Sequence, residues 1–211
     1  MIAWPSAGEH HATVPEATPQ HDVVLRYNNV AVAIHWLTVA LILAQIWLGF
    51  TFNYMERGPA RADLFVWHKT VGATILTLAL IRLAWRLSHK PPPFPEELPR
   101  WERFAAVWNH RVFYALLVGL PLTGLTAASG GADAATTPLA LGLALPVIPG
   151  VSEALGESIG DVHRLLVYTT LALLALHVGA ALKHQFVDRA RVAGRMPPFR
   201  ASAEEPVRPA D

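Results

Sequence analysis

The chain has no cysteine. That excludes disulfides, thiolate metal sites, iron–sulfur clusters and the C-x-x-C-H attachment of a c-type haem. It is also short of charge. Only 16% of its 211 residues are Asp, Glu, Lys or Arg, against about 25% in soluble domains. The formal net charge is +1, which makes no case for a nucleic-acid partner. Residues 1–25 are polar, rich in His, Pro and Thr, and lack the basic start of a secretory signal. They are expected to form a disordered tail, with the first apolar run kept as an uncleaved helix.

What is abundant is apolar sequence and histidine. Hydrophobic residues make up 53% of the chain, and there are ten histidines. A helix needs about 20 largely apolar residues to cross the hydrocarbon core, and four segments qualify. Val30–Phe52, Val112–Ala128 and Leu165–Leu182 carry no Asp, Glu, Lys or Arg. Leu64–Ile81 carries only Lys69, and its helical pattern continues through Trp85. Pro121 and Gly124 fall in the third run, where membrane helices tolerate them. A fifth apolar piece, Leu139–Val151, contains Pro146 and Pro149. It is too short to span and reads as a loop against the membrane surface or the bundle. The proline run Lys90-Pro-Pro-Pro-Phe-Pro95 breaks any helix.

The expected fold is all-α, an integral membrane four-helix bundle over residues 26–187, with a basic tail over 188–211. Orientation follows from lysine and arginine. The connection between spans two and three holds Arg86, Lys90, Arg100, Arg103 and Arg111, and the C-terminal end is also basic. The Ser129–Gly160 connection holds no Lys or Arg. Both termini are therefore expected in the cytoplasm and the Ser129–Gly160 loop in the periplasm.

In that topology the histidines pair by depth. His68 and His163 open spans two and four on the outer side. His35 lies in the cytoplasmic half of span one. His177 follows His163 by 14 residues, a rise of about 21 Å and a turn about 40° short of four full turns. His163 and His177 thus share one helix face at two depths, level with His68 and His35 respectively. Two imidazoles at one depth on facing helices can hold haem iron from both sides, and a porphyrin suits an apolar bundle. The same step from His35 reaches Gly49, a small residue where the outer porphyrin needs room. From His68 it reaches Arg82, level with the inner haem. The reading is two stacked haem b groups, ligated by His35 with His177 and by His68 with His163. Span three supplies no ligand.

Blander readings stand beside these. A histidine near a membrane interface often snorkels or bonds a backbone carbonyl. For His110 and His184, at the cytoplasmic ends of spans three and four, the interface is favoured over a quinone or propionate contact. Arg82, Lys69 and Lys183 are open between propionate contacts and headgroups. Arg57 and Arg61, with Lys69, make a positive rim near the outer site.

The chain resembles the bacterial cytochrome b561 family of four-helix, di-haem membrane cytochromes. The likeness rests on spaced motifs in order over about residues 24–198. They begin with Arg26-Tyr27, Ile34-His35-Trp36-Leu37 and Trp67-His68-Lys69-Thr70-Val71-Gly72. Arg82-Leu83-Ala84-Trp85-Arg86, the proline run, His110-Arg111-Val112-Phe113-Tyr114 and Pro121-Leu122-Thr123-Gly124 follow. Asp161-Val162-His163, His177 through His184 and Arg195-Met196 complete the series. One family feature departs: paired histidines after the lysine are here His184-Gln185. The resemblance implies haem ligation by the same four histidines, an inner-membrane location and electron exchange with quinone. It also implies, from one branch, oxidation of superoxide with ubiquinone as acceptor.

Three functions compete. The leading one is transmembrane electron transfer through two b haems with quinone at one end. The alternative is a haem-binding anchor subunit relaying electrons for a separate dehydrogenase, hydrogenase or other redox protein. A histidine-rich metal transporter is disfavoured, because the four runs lack Asp and Glu and coupling ions and protons usually use carboxylates.

Overall fold

A computed structural model describes residues 25–94, 98–187, 195–197 and 208–209. The polar segment 1–24 and most of the basic tail lie outside the described residues.

Four long helices, all apolar enough to cross a membrane, dominate the described residues. They are α1 (Asn29–Tyr54), α2 (Pro59–Ser88), α3 (Arg100–Ala128) and α4 (Glu153–Phe186). Local chemistry sets their starts. The Asn28 side chain accepts from the Ala31 amide and Ser152 from the Leu155 amide, each satisfying one orphan donor of a first turn. Pro59 stands at the first position of α2, where a missing N–H costs nothing. The proline run ends α2, and Pro99 immediately precedes α3.

The helices outrun the apolar segments. α3 begins at Arg100, twelve residues before Val112, and α4 at Glu153, twelve before Leu165. At about 1.5 Å per residue, 34 residues rise about 51 Å, against a hydrocarbon core of about 30 Å. Hydropathy reports where lipid begins, whereas the helix ends at its cap, so both helices project past the membrane.

Between α3 and α4 the chain forms a small hairpin. Strand β2 (Thr136–Pro138) pairs antiparallel with β3 (Ala144–Pro146), Thr137 opposite Leu145. A 3-10 turn, Ala140–Gly142, joins them, with Leu141 and Gly142 at φ of 61° and 73°. The hairpin is clasped to α2, because Lys69 Nζ donates to Thr137 Oγ1 at 2.6 Å and the Ala140 amide to Thr70 Oγ1 at 2.8 Å. The apolar piece expected to lie on the membrane surface or the bundle therefore rests on the bundle. We call this end outer and the opposite end inner.

At the inner end the segment 195–197 crosses the bundle. The Tyr27 amide donates to the Arg195 carbonyl at 3.1 Å, and Trp36 Nε1 to the Pro197 carbonyl at 2.6 Å. The Arg195 guanidinium donates to the Pro92 carbonyl and lies over the Tyr27 and Phe94 rings. Burial lowers its pKa from the usual arginine value. A two-residue parallel pairing, Leu25–Arg26 with Arg208–Pro209, adds to this end.

Packing runs α1 on α2, α2 on α3 and α3 on α4. At the outer end α3 and α4 approach backbone to backbone at Gly130 and Gly156, where a Cβ on Gly156 would fall 2.6 Å from the Gly130 Cα. Among the described residues, Leu48, Ile75, Ala79 and Leu116 are the buried apolar side chains within the spans. Large apolar side chains face outward instead, with Trp47 62% and Leu176 69% exposed. A water-soluble bundle would hide them; lipid is the solvent that accepts them.

Candidate haem-binding sites

The outer level is built from all four helices. His68 on α2 and His163 on α4 face each other, ring centroids 6.4 Å apart and planes at 76°. Each ring lies against a glycine on a neighbouring helix. A Cβ on Gly49 of α1 would sit 3.2 Å from His68 Cε1, and one on Gly124 of α3 the same distance from His163 Cε1. Glycine at these positions lets each imidazole press on a helix backbone, and any larger residue would push it away.

Hydrogen bonds fix the chemistry of His163. Its Nδ1 lies 3.0 Å from the Leu120 carbonyl and 3.1 Å from Thr123 Oγ1. A carbonyl only accepts, so Nδ1 carries the proton and Nε2 keeps its lone pair. His68 meets the Gln45 amide at 3.0 Å through Nε2. The Nδ1 of His68 and the Oε1 of Gln45 are buried without a protein partner. A cavity of about 210 Å³ opens between the two rings, lined among others by Gln45, Gly49, Gly72, Leu116 and Pro121.

This level fits a bis-imidazole iron. A metal–imidazole nitrogen bond is about 2 Å and a ring centre lies about 1.1 Å behind its nitrogen, so two axial rings stand about 6 Å apart. The observed 6.4 Å matches. Two facing imidazoles and a mainly apolar cavity are what an apolar macrocycle with a nitrogen-seeking iron requires.

The inner level holds His35 on α1 and His177 on α4, within electrostatic reach of each other. Arg82 of α2 reaches His35 Nδ1 at 3.2 Å, and its guanidinium also lies 5.9 Å from the Tyr114 ring centre. Asn109 of α3 contacts His177 Nδ1 at 3.1 Å. The rings of His110 and Phe113 pack edge-on against His177, at 5.6 and 5.5 Å. Arg82, placed level with this pair by a 14-residue step, here touches the His35 ring itself.

The remaining candidates scatter. Lys69 is taken by Thr137 and the Phe65 ring, and Arg61 donates to the Phe52 carbonyl at 3.0 Å. His110 Nδ1 donates to the Ala106 carbonyl at 2.6 Å, the interfacial behaviour weighed for it, while its ring still touches His177. Lys183 and His184 both converge on Glu102, at 3.2 and 3.8 Å. Gly49 faces the His68 ring.

Gln45, Glu102 and Asn109 had no place in the sequence reading, and Thr123 and Gly124 entered it without a role at the site. Helix α3 supplies no histidine to either pair, yet it orients both α4 histidines. Only the Pro121-Leu122-Thr123-Gly124 motif hinted at that, and it carried no chemistry of its own.

Comparison with known proteins follows the same lines. A family model described as prokaryotic cytochrome b561 matches residues 26–198. The chain is 27% identical over 175 residues to cytochrome b561 homolog 2 of Escherichia coli K12, covering 81% of this chain and 90% of that relative. It is 28% identical over 174 residues to a protein of Yersinia pestis named probable superoxide oxidase CybB, covering 82% and 96%. Cytochrome b561 homolog 1 of Escherichia coli K12 is 24% identical over 185 residues, covering 83% and 98%.

Proposed function

Because the chain belongs to the prokaryotic cytochrome b561 family, bacterial membrane proteins that transfer electrons across the bilayer with b-type haem, we propose that it carries two haems. His68 and His163 hold the outer one and His35 and His177 the inner one. So loaded, the protein would pass electrons from an outer donor to quinone at the inner, cytoplasmic end. The observation that carries this is the outer pair, two facing imidazoles with centroids 6.4 Å apart across an apolar cavity. When bound, haem supplies a one-electron couple at each level.

The protein's own residues set the conditions. Leu120 and Thr123 keep the Nδ1 proton on His163 and leave Nε2 for iron, the usual work of partners behind a ligand. Asn109 holds His177, and Gly49 and Gly124 admit the outer rings. Levels separated by about 21 Å of helix rise make a short relay, since porphyrin radii narrow the gap.

A quinone taking two electrons also takes two protons. Glu102 and His184 form a pair at the inner end able to exchange protons with the cytoplasm, and His110 lies closer in against His177. At the outer end the donor we assign is superoxide, two ions yielding two dioxygen molecules and the two electrons a quinone needs. Support comes from the printed name of the Yersinia pestis relative and from Arg57, Arg61 and Lys69 near the outer level. The first test is an optical spectrum with a haem-to-protein ratio. Two low-spin haems are expected, His35→Ala and His177→Ala removing one and His68→Ala and His163→Ala the other. Loss of the same haem from His35 and His68 variants refutes the pairing. The second is stopped-flow reduction by superoxide, which salt should slow. No haem reduction removes superoxide and leaves a protein donor.

A further inference from the structure

The two histidine levels differ in charge. At the inner level a guanidinium is in direct contact: Arg82 lies 3.2 Å from His35 Nδ1 and is half-buried. Its charge also reaches His177 and His110. Arg86 and Arg195 act on His110, whose ring packs on His177, and Arg195 is 5% exposed, so water screens it poorly. Glu102, the carboxylate of α3, is engaged two helical turns away with Lys183 and His184.

Arg164 lines the outer cavity but is ion-paired with Asp161, and the groups hydrogen-bonded to the outer pair are neutral. They are the Gln45 amide, the Thr123 hydroxyl and the Leu120 carbonyl. The nearest lysine in sequence, Lys69, directs its ammonium to Thr137 and the Phe65 ring. The Leu120 carbonyl turns the negative end of its dipole to the His163 Nδ1–H, which strengthens imidazole donation to iron and favours the oxidised form.

An added electron lowers the charge of a haem by one, so a fixed cation beside it favours reduction, most strongly where the dielectric is low. We infer that Arg82 makes the inner level the electron sink of this protein. A single electron rests at His35–His177 rather than at His68–His163, and transfer runs downhill from the outer to the inner end. The inference rests on the two-haem reading proposed above and adds a physical cause, the Arg82 guanidinium, for the direction of flow assigned there.

The test is a potentiometric titration of the purified protein, followed by optical and electron paramagnetic resonance spectra. The two haems are assigned with the His163→Ala and His35→Ala variants. With one electron per protein, the inner level should be reduced about tenfold or more over the outer, a separation of about 59 mV for a one-electron couple. Arg82→Gln should bring the ratio close to one without changing the haem-to-protein ratio, and Arg82→Lys should retain most of it. If Arg82→Gln loses a haem, the wild-type protein and Arg82→Lys carry the test. Two haems that reduce together, an outer haem that reduces first, or an undiminished ratio in a fully loaded Arg82→Gln protein overturns the inference and leaves the two-haem reading intact. One haem per wild-type chain overturns both.

Discussion

At the scale of single residues, the outer site depends on what is missing from Gly49 and Gly124. The ring atoms stand 3.2 Å from where a Cβ would be, so alanine demands a shift of a few tenths of an ångström and valine far more. Gly124→Val is expected to turn His163 off Leu120 and Thr123 and to reduce haem content from two to one, the inner haem being spared. Gly49→Val should act on His68 in the same way. Haem-to-protein ratios with the spectrum of the remaining haem check both, and loss of the inner haem instead would contradict the assignment of levels. Thr123→Val removes one of two acceptors at His163 Nδ1 and leaves the Leu120 carbonyl. Its expected effect is a changed potential of the outer haem at unchanged haem content, read by redox titration.

At the scale of elements, two contacts hold the outer end. The α3–α4 crossing at Gly130 and Gly156 has no room for a methyl group, because a Cβ on Gly156 would meet backbone at 2.6 Å. Backbone cannot step aside as a side chain can. Gly156→Ala should therefore destabilise the protein by about 1–3 kcal/mol, the usual cost of overpacking, visible as earlier thermal loss of haem absorbance. The second contact is the clasp of the β2–β3 hairpin on α2 through Lys69–Thr137 and Thr70–Ala140. Replacing Lys69 with Met and Thr70 with Val removes both bonds. Protease added from the outer side should then cut within residues 136–146 at least several times faster than in the wild type. An unchanged rate would mean the hairpin is held by its own strands alone.

At the scale of the whole molecule, the bundle has little apolar core of its own among the described residues. Few apolar residues are buried within the spans, while Leu43 and Trp47 are 58% and 62% exposed. The outside is solvated by lipid, and on the proposed reading porphyrin completes the inside. Removing haem should thus loosen the whole bundle: binding to the folded form alone adds RT ln(1 + [L]/Kd) of stability. Haem-depleted protein should melt at a lower temperature and regain stability on haem addition. For orientation, a reporter fused after Arg200 is expected to be active only in the cytoplasm, with the connection over residues 129–152 accessible from the periplasm. Periplasmic activity of that fusion would reverse the direction assigned to electron flow.

Much of this was legible in the chain alone. Four apolar runs, an arginine-free third connection and a 14-residue step from His163 to His177 follow from lipid thickness, charge bias and helical repeat. Each is a property of one segment taken alone. Helix ends at Arg100 and Glu153 were not legible, because amphipathic turns beyond the membrane carry no apolar signal. Nor were the β2–β3 hairpin and its clasp, which join residues about 70 positions apart. The partners of the histidines were hidden for the same reason. Asn109 meets His177, Thr123 meets His163 and Arg82 meets His35 only where helices pack at particular rotations, and no single helix specifies how its neighbour is turned. Periodicity along each helix thus set the depth of the histidines, and packing between helices decided the charge each one faces.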